Sequence, residues 1–337
     1  MFRGLAIWQL EIILQICRNL KIQNMARAIS DNFLNDLING SLSEIREIIL
    51  RDDTLMLDLR GKSIMVYYRG GKLLEIKENG KSYQFICGDK EYIVTNPTIP
   101  NVEFADDGSC DTSLIEEYIA KFKYNMDIYF GGIRINNKQP KRHSLENEIR
   151  QHIVRENNFT KIAKDTDYFI LDTEYGIGNG NKIDIVAIEW ISKSNERKLQ
   201  NGYRPKLVFF ELKYGGEAMA GNSGLKSHLD DFKLFKENDE VVKSFKEDML
   251  TVLDQKRQLG LIPYLKRENK NKIVGFADDI ELIFLIANYK KNSKVLMREI
   301  EQMEEFKMIT SNYLGYGLYK NNLVDKSILK DYDPNHP

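Results

Sequence analysis

Two apolar stretches of the chain carry charges at one end. They are Lys182-Ile183-Asp184-Ile185-Val186-Ala187-Ile188-Glu189-Trp190 and Lys206-Leu207-Val208-Phe209-Phe210-Glu211-Leu212-Lys213. Read as strands, side chains alternate between faces, so Asp184 sides with Val186, Ile188 and Trp190, and Glu211 and Lys213 side with Leu207 and Phe209. An antiparallel pairing that sets Asp184 opposite Glu211 brings two carboxylates and an ammonium together at one sheet end. Unpaired buried charges cost several kcal/mol, so such a cluster needs a reason. A hard divalent cation supplies one. Mg²⁺ takes one or two carboxylates and keeps room for water and a phosphate oxygen. Asp184 and Glu211 suit it, with the Leu212 backbone carbonyl as a third ligand, and Lys213 can orient a water or stabilise a phosphorane. The structural alternative is a salt-bridged strand end.

The flanking elements must position these groups. A helix is expected over Ser144 to Asn157, capped by Ser144 with Asn147 at the third position, with Leu145, Ile149, His152 and Ile153 as its apolar stripe. Glu146 and Glu148 flank that stripe, and His152 reads as a core histidine. Tyr168 to Tyr175 is expected as a strand whose Asp172 and Glu174 are structural or edge acids, and Gly176 to Gly180 turn the chain into the Asp184 strand. After Lys213, Gly215-Gly216 and Gly221 to Gly224 lead into a helix through Leu225, His228, Leu229 and Phe232. Ser223 and Lys226 near its start could meet a phosphate, and His228 could point at the acids from one turn later. The alternative is a loop and an ordinary amphipathic helix. Val241 to Leu259 follows as a helix, then a basic run of Lys266, Arg267, Lys270 and Lys272. Glu281 to Tyr289 reads as a buried central strand, Ser293 to Phe306 as a helix, and Met308 to Tyr319 as an edge strand.

Asp184 followed by Glu211-Leu212-Lys213 resembles the signature of the PD-(D/E)XK nuclease superfamily, over roughly Ser144 to Tyr289, about half the chain. Ile183 stands where the named proline would. The resemblance implies an α/β restriction-endonuclease-like fold, a mixed sheet flanked by helices. It also implies Mg²⁺, with Mn²⁺ able to substitute, held by the acidic pair, and a lysine that assists hydrolysis of a phosphodiester bond. A glutamate on the first helix completes the site in that family, and Glu148 is assigned that role over Glu146. The expected activity is a DNA endonuclease, with RNA and exonuclease action left open. The competing reading is a nucleic-acid-binding or protein-interaction module that does not cut.

The remainder of the chain sets the boundaries. With 337 residues, 42% hydrophobic and 29% charged, there is room for two or three domains and a substantial core. A net charge of −1 gives no global attraction to nucleic acid, so any basic surface must be local. Cys17, Cys87 and Cys110 lack metal-site spacing, and the four histidines lack HExxH spacing, which argues against a zinc site. The cysteine usage suits a reducing cytosol, so a cytoplasmic location is expected.

The expected segments are helical over 1–50, antiparallel β over 51–100, a connector with a helix over 101–141, the nuclease-like domain over 142–320 and a tail over 321–337. The first 20 or so residues read as an amphipathic helix too polar for a signal peptide or a membrane span, and Met25 stands as an alternative start. Asp52 to Val94 alternates as a four- or five-strand meander with turns at Arg60-Gly61-Lys62, Gly70-Gly71 and Asn79-Gly80. Its Tyr67, Tyr68, Arg69, Lys72 and Lys81 read as core aromatics and turn bases, with a nucleic-acid surface as the alternative. Homodimerisation is left open.

Overall fold

The computed structural model describes residues 26–95, 98–132, 145–178, 181–192, 203–215, 217–221, 224–265, 273–288, 293–311 and 315–327. The expected leading helix, the Ser144 cap, Ser223 and the basic run at 266–272 lie outside them.

Helices α1 (Asp31–Asn39) and α2 (Ser43–Arg51) come first among the described residues. The Ser30 hydroxyl accepts from the Phe33 amide at 3.1 Å, satisfying one of the free N–H groups at the start of α1. The alternating segment then forms four strands, β1 (Leu55–Leu59), β2 (Ser63–Tyr68), β3 (Gly71–Asn79) and β4 (Ser82–Cys87), paired antiparallel in sequence order. Gly61, Gly70 and Gly80 take positive φ at the three expected turns. Helix α3 (Thr112–Phe130) packs Tyr118, Phe122 and Met126 into the core that this sheet shares with α1 and α2.

The second sheet is mixed. Strands β5 (Tyr168–Gly178), β6 (Asn181–Glu189) and β7 (Leu207–Tyr214) run antiparallel, and β8 (Ile280–Ala287) and β9 (Lys307–Ser311) then continue parallel to β7. A short β10 (Val324–Asp325) pairs antiparallel with β9, giving the order β10-β9-β8-β7-β6-β5. The sheet therefore runs past the expected boundary at residue 320, and β9 is an inner strand instead of an edge.

On one face, α5 (Leu225–Lys236) and α6 (Asp239–Gln258) bury an aromatic cluster, with Phe209 5.3 Å from Phe235 and 5.2 Å from Phe245. On the other lies α4 (Leu145–Asn158), whose Ile149, Ile153 and Val154 meet Ile185, Val208, Phe210 and Leu212, with Met56 and Tyr67 from the first sheet closing the cluster. Helix α7 (Lys294–Glu301), capped by Ser293, links β8 to β9. A bulge between Ile170 and Asp172 breaks the β5 ladder, and buried Asn158 replaces it by donating to the Ile170 carbonyl and accepting from the Ile170 amide, both at 2.8 Å.

A buried ionic cluster joins the two sheets. Asp58 on β1 takes Lys256 of α6 at 2.5 Å and Arg60 at 3.0 Å, and accepts from the Thr173 hydroxyl at 2.8 Å. Arg60 also reaches Asp172 on β5 at 2.7 Å, and Arg27 approaches the second oxygen of Asp172 at 3.0 Å. Burial opposes ionisation of Asp58, but Lys256 and Arg60 outweigh it and hold the carboxyl at about 2. Asp172 is thus a structural acid, as expected. Tyr67 is buried, Arg69 pairs with Glu148 and Asp127, and Lys72 lies near Glu75 and Asp89, so these three have scaffold contacts, whereas Lys81 is exposed at its turn.

Removing one member of such a cluster leaves uncompensated buried charge. Asp58→Ala is expected to lower unfolding free energy by about 3–5 kcal/mol in urea titration, whereas a loss below about 1 kcal/mol would show that water reaches the cluster.

Candidate active site

The β6–β7 register places Ile185 opposite Phe210, Val186 opposite Phe209, Ala187 opposite Val208 and Ile188 opposite Leu207. Continued by one residue, this register sets Asp184 beside Glu211, as the spacing predicts. There the ladder ends, and the Asp184 side chain takes over: its Oδ2 accepts the Leu212 amide at 2.9 Å.

Glu211 and Lys213 are almost fully buried at 3% and 7% side-chain exposure. Lys213 Nζ donates to Glu211 Oε1 at 2.8 Å. His228, on the first turns of α5, brings Nε2 to 3.0 Å from both Glu211 Oε1 and Lys213 Nζ. That nitrogen donates to the carboxylate when protonated and accepts from the ammonium when not. Glu211 Oε2 is buried and has no hydrogen-bond partner among the described residues.

The helix acid at the site is Glu146. Its Oε2 accepts the Tyr214 amide at 3.3 Å, just past Lys213. Arg150, one turn further along α4, reaches Asp184 Oδ1 at 3.3 Å and Glu174 at 3.3 Å. Glu148, the residue expected at the site, instead turns to the β2–β3 corner, where Arg69 Nε donates to it at 2.8 Å. Helical spacing explains the division. Positions 146 and 150 share the flank facing the strand ends, whereas 145, 148, 149 and 152 share another. Arg150 is the residue that the sequence reading missed, and its spacing four beyond Glu146 is the signal that could have found it. Lys226 pairs with Asp230 on the exposed side of α5 at 2.9 Å, away from this cluster. His152 is half-buried and stacks on Tyr316, with ring centres 5.2 Å apart, so it is not the enclosed core histidine expected.

The carboxylates split electrostatically. Burial, with the Glu211 and Glu146 charges added, pushes Asp184 up to about 7 against the opposing pull of Arg150 and the Leu212 amide. Burial raises Glu146 as well, with Lys213 opposing. Burial also resists ionisation of Glu211, but the His228 hydrogen bond and the Lys213 charge outweigh it and hold Glu211 below its ordinary range.

The donor set suits a hard cation. An orphaned oxygen on Glu211 and an Asp184 carboxyl whose ionisation is opposed by burial and by the neighbouring Glu211 and Glu146 charges are both relieved by a divalent ion between them. Among the described residues, no group of three or more His, Cys, Asp or Glu side chains is gathered as a metal cage. Mg²⁺ does not need one, because it retains several waters and uses one or two carboxylates. No match to the chain is found among models of protein families, curated proteins or solved structures.

Because the folded Asp184 holds its proton up to about 7 while the unfolded chain releases it near its ordinary value of 3.8, the metal-free protein loses stability as pH rises between those values. Asp184→Asn removes this loss. In EDTA the variant is expected to unfold at higher denaturant than the parent at pH 8, by on the order of 3 kcal/mol, with the gap closing towards pH 4. Equal gaps at both pH values would show that Asp184 titrates normally.

Proposed function

We propose that the chain is a Mg²⁺-dependent phosphodiesterase acting on DNA as an endonuclease, on a restriction-endonuclease-like sheet. The observation that carries the reading is the meeting of Asp184 and Glu211 on adjacent strand ends, with a buried carboxylate oxygen left free and Lys213 bonded to the other. Asp184 and Glu211 would hold the ion, the Leu212 carbonyl being the expected third ligand. When bound, the ion supplies charge neutralisation for the scissile phosphate and lowers the pKa of a coordinated water.

The chain's own groups do the rest. Lys213 holds its ammonium beside Glu211, where it can orient the attacking water or meet charge developing on the phosphate. His228 steadies both members of that pair, and its position one turn into α5 makes it a better site residue than a surface DNA contact. Arg150 neutralises Asp184 in the metal-free state and is placed to release it when a cation arrives. Glu146, whose carboxyl burial pushes above its ordinary range, stands beyond Lys213 as an outer ligand. Mn²⁺ offers similar oxygen preference and is expected to substitute. Among the described residues no helix is long and apolar enough to cross a membrane.

The test is cleavage of supercoiled, linear and single-stranded DNA with Mg²⁺, Mn²⁺ or EDTA. Metal-dependent cutting by the parent, lowered at least about 100-fold in Asp184→Asn, Glu211→Gln and Lys213→Ala, is the expected result. Unchanged cutting by Lys213→Ala would remove the lysine's role. If no substrate is cut and calorimetry detects no Mg²⁺ binding, the cluster is a salt-bridged strand end.

A further inference from the structure

Across β7, β8 and β9, two successive rows of side chains face α4. The inner row is Leu212, Leu285 and Ile309, all buried in the core beneath the helix. The next row is Tyr214, Ala287 and Ser311. Replacing two large aliphatic residues by alanine and serine leaves space that α4 does not fill. The result is a cavity of about 240 Å³, floored by that row and walled by Leu145, Glu148, Ile149 and His152 of α4 and by Tyr316.

The lining is aromatic with a few polar groups. His152 and Tyr316 lie nearly parallel, at 16° between ring planes, and Tyr214 stands at the other side. Ser311 is 2% exposed, and its Oγ is buried without a hydrogen-bond partner among the described residues. Asn288, held at φ +53° with its amide donating to the Ser311 carbonyl at 3.2 Å, adds a side-chain amide able to donate and accept. Flat aromatic walls, an unsatisfied hydroxyl and the Glu148 carboxylate, which Arg69 holds and which can accept from an exocyclic amino group, match a planar heterocycle with polar edges.

The cavity shares a residue with the candidate active site. The Tyr214 amide donates to Glu146, while the Tyr214 ring lines the cavity on the opposite sheet face from Lys213. A polynucleotide crossing the strand ends with its phosphate at Asp184 and Glu211 can therefore place a neighbouring base here. We infer that this cavity receives one unpaired nucleobase of the substrate strand, so that the substrate is single-stranded or carries an extruded nucleotide. A base inside a duplex is stacked on both faces and paired along its edge, and must leave the stack to enter a pocket closed on several sides. This inference rests on the nuclease reading for its substrate, but not on turnover.

The test is fluorescence anisotropy in EDTA with a roughly 12-nucleotide single strand, its full duplex, and a duplex with one unpaired 2-aminopurine. The parent should prefer the single strand and the unpaired site, and quench the 2-aminopurine. Tyr316→Ala, which removes a stacking wall, and Ser311→Val, which puts methyl groups into the cavity, should each weaken those two ligands about tenfold, change duplex binding less than twofold, and restore the fluorescence. Retained duplex binding shows that the variants are folded. Equal parent affinity for paired and unpaired DNA, no binding of any DNA, or equal losses on every ligand would overturn the inference. Displacement of the single strand by an equal concentration of free nucleoside monophosphate would also overturn it, assigning the cavity to a free nucleotide. Preferential binding without metal-dependent cleavage would refute the nuclease alone.

Discussion

The register of β6 on β7 governs the site. Side chains alternate along a strand, so a slip of one residue would turn Asp184 towards α4 and separate it from Glu211. The apolar residues hold the register: Val186, Ile188, Leu207 and Phe209 belong under α5 and α6, and Ile185, Ala187, Val208 and Phe210 belong under α4. The burial of eight side chains thus fixes where two carboxylates meet. The Asp184 bond to the Leu212 amide then closes the strand pair where the backbone ladder stops.

Bringing those carboxylates together has an electrostatic cost, and the surrounding cations are arranged around it. Lys213 and His228 serve Glu211, which stays ionised, while Arg150 serves Asp184, which does so only in part. Asp184 is therefore the member whose charge depends most on what else arrives at the site. Glu174, held at φ +53° with its carbonyl on Arg27 and its carboxylate on Arg150, ties this balance to the neighbouring strand. Such positive-φ geometry in a non-glycine residue persists only where surrounding contacts enforce it.

The first sheet acts as a buttress for α4. Gln151 donates to the Thr54 carbonyl at 2.8 Å and accepts from the Gly70 amide at 2.6 Å, and Arg69 holds Glu148. A Cβ at Gly70 would fall 2.4 Å from the Asn147 backbone, so glycine permits this close approach. These contacts hold α4 against the first sheet in the rotation that turns Glu146, and not Glu148, to the strand ends.

Much of this was legible in the sequence. Period-two alternation gave the strands, glycines marked the turns, and the placement of Asp184, Glu211 and Lys213 on apolar segments indicated the register that brings them together, because these signals are local and the hydrophobic pattern admits only one register. The choice of Glu146 over Glu148 was not legible, since both flank the stripe of α4 and only packing against the first sheet fixes the helix's rotation. Nor were the partners of His228, the ionic cluster that pairs residues 198 positions apart, or the pairing of β10. Those depend on which surfaces meet in three dimensions. The same holds for the cavity above Ala287: a small residue in a strand leaves a gap only when the tertiary fold places a helix over it without filling the space.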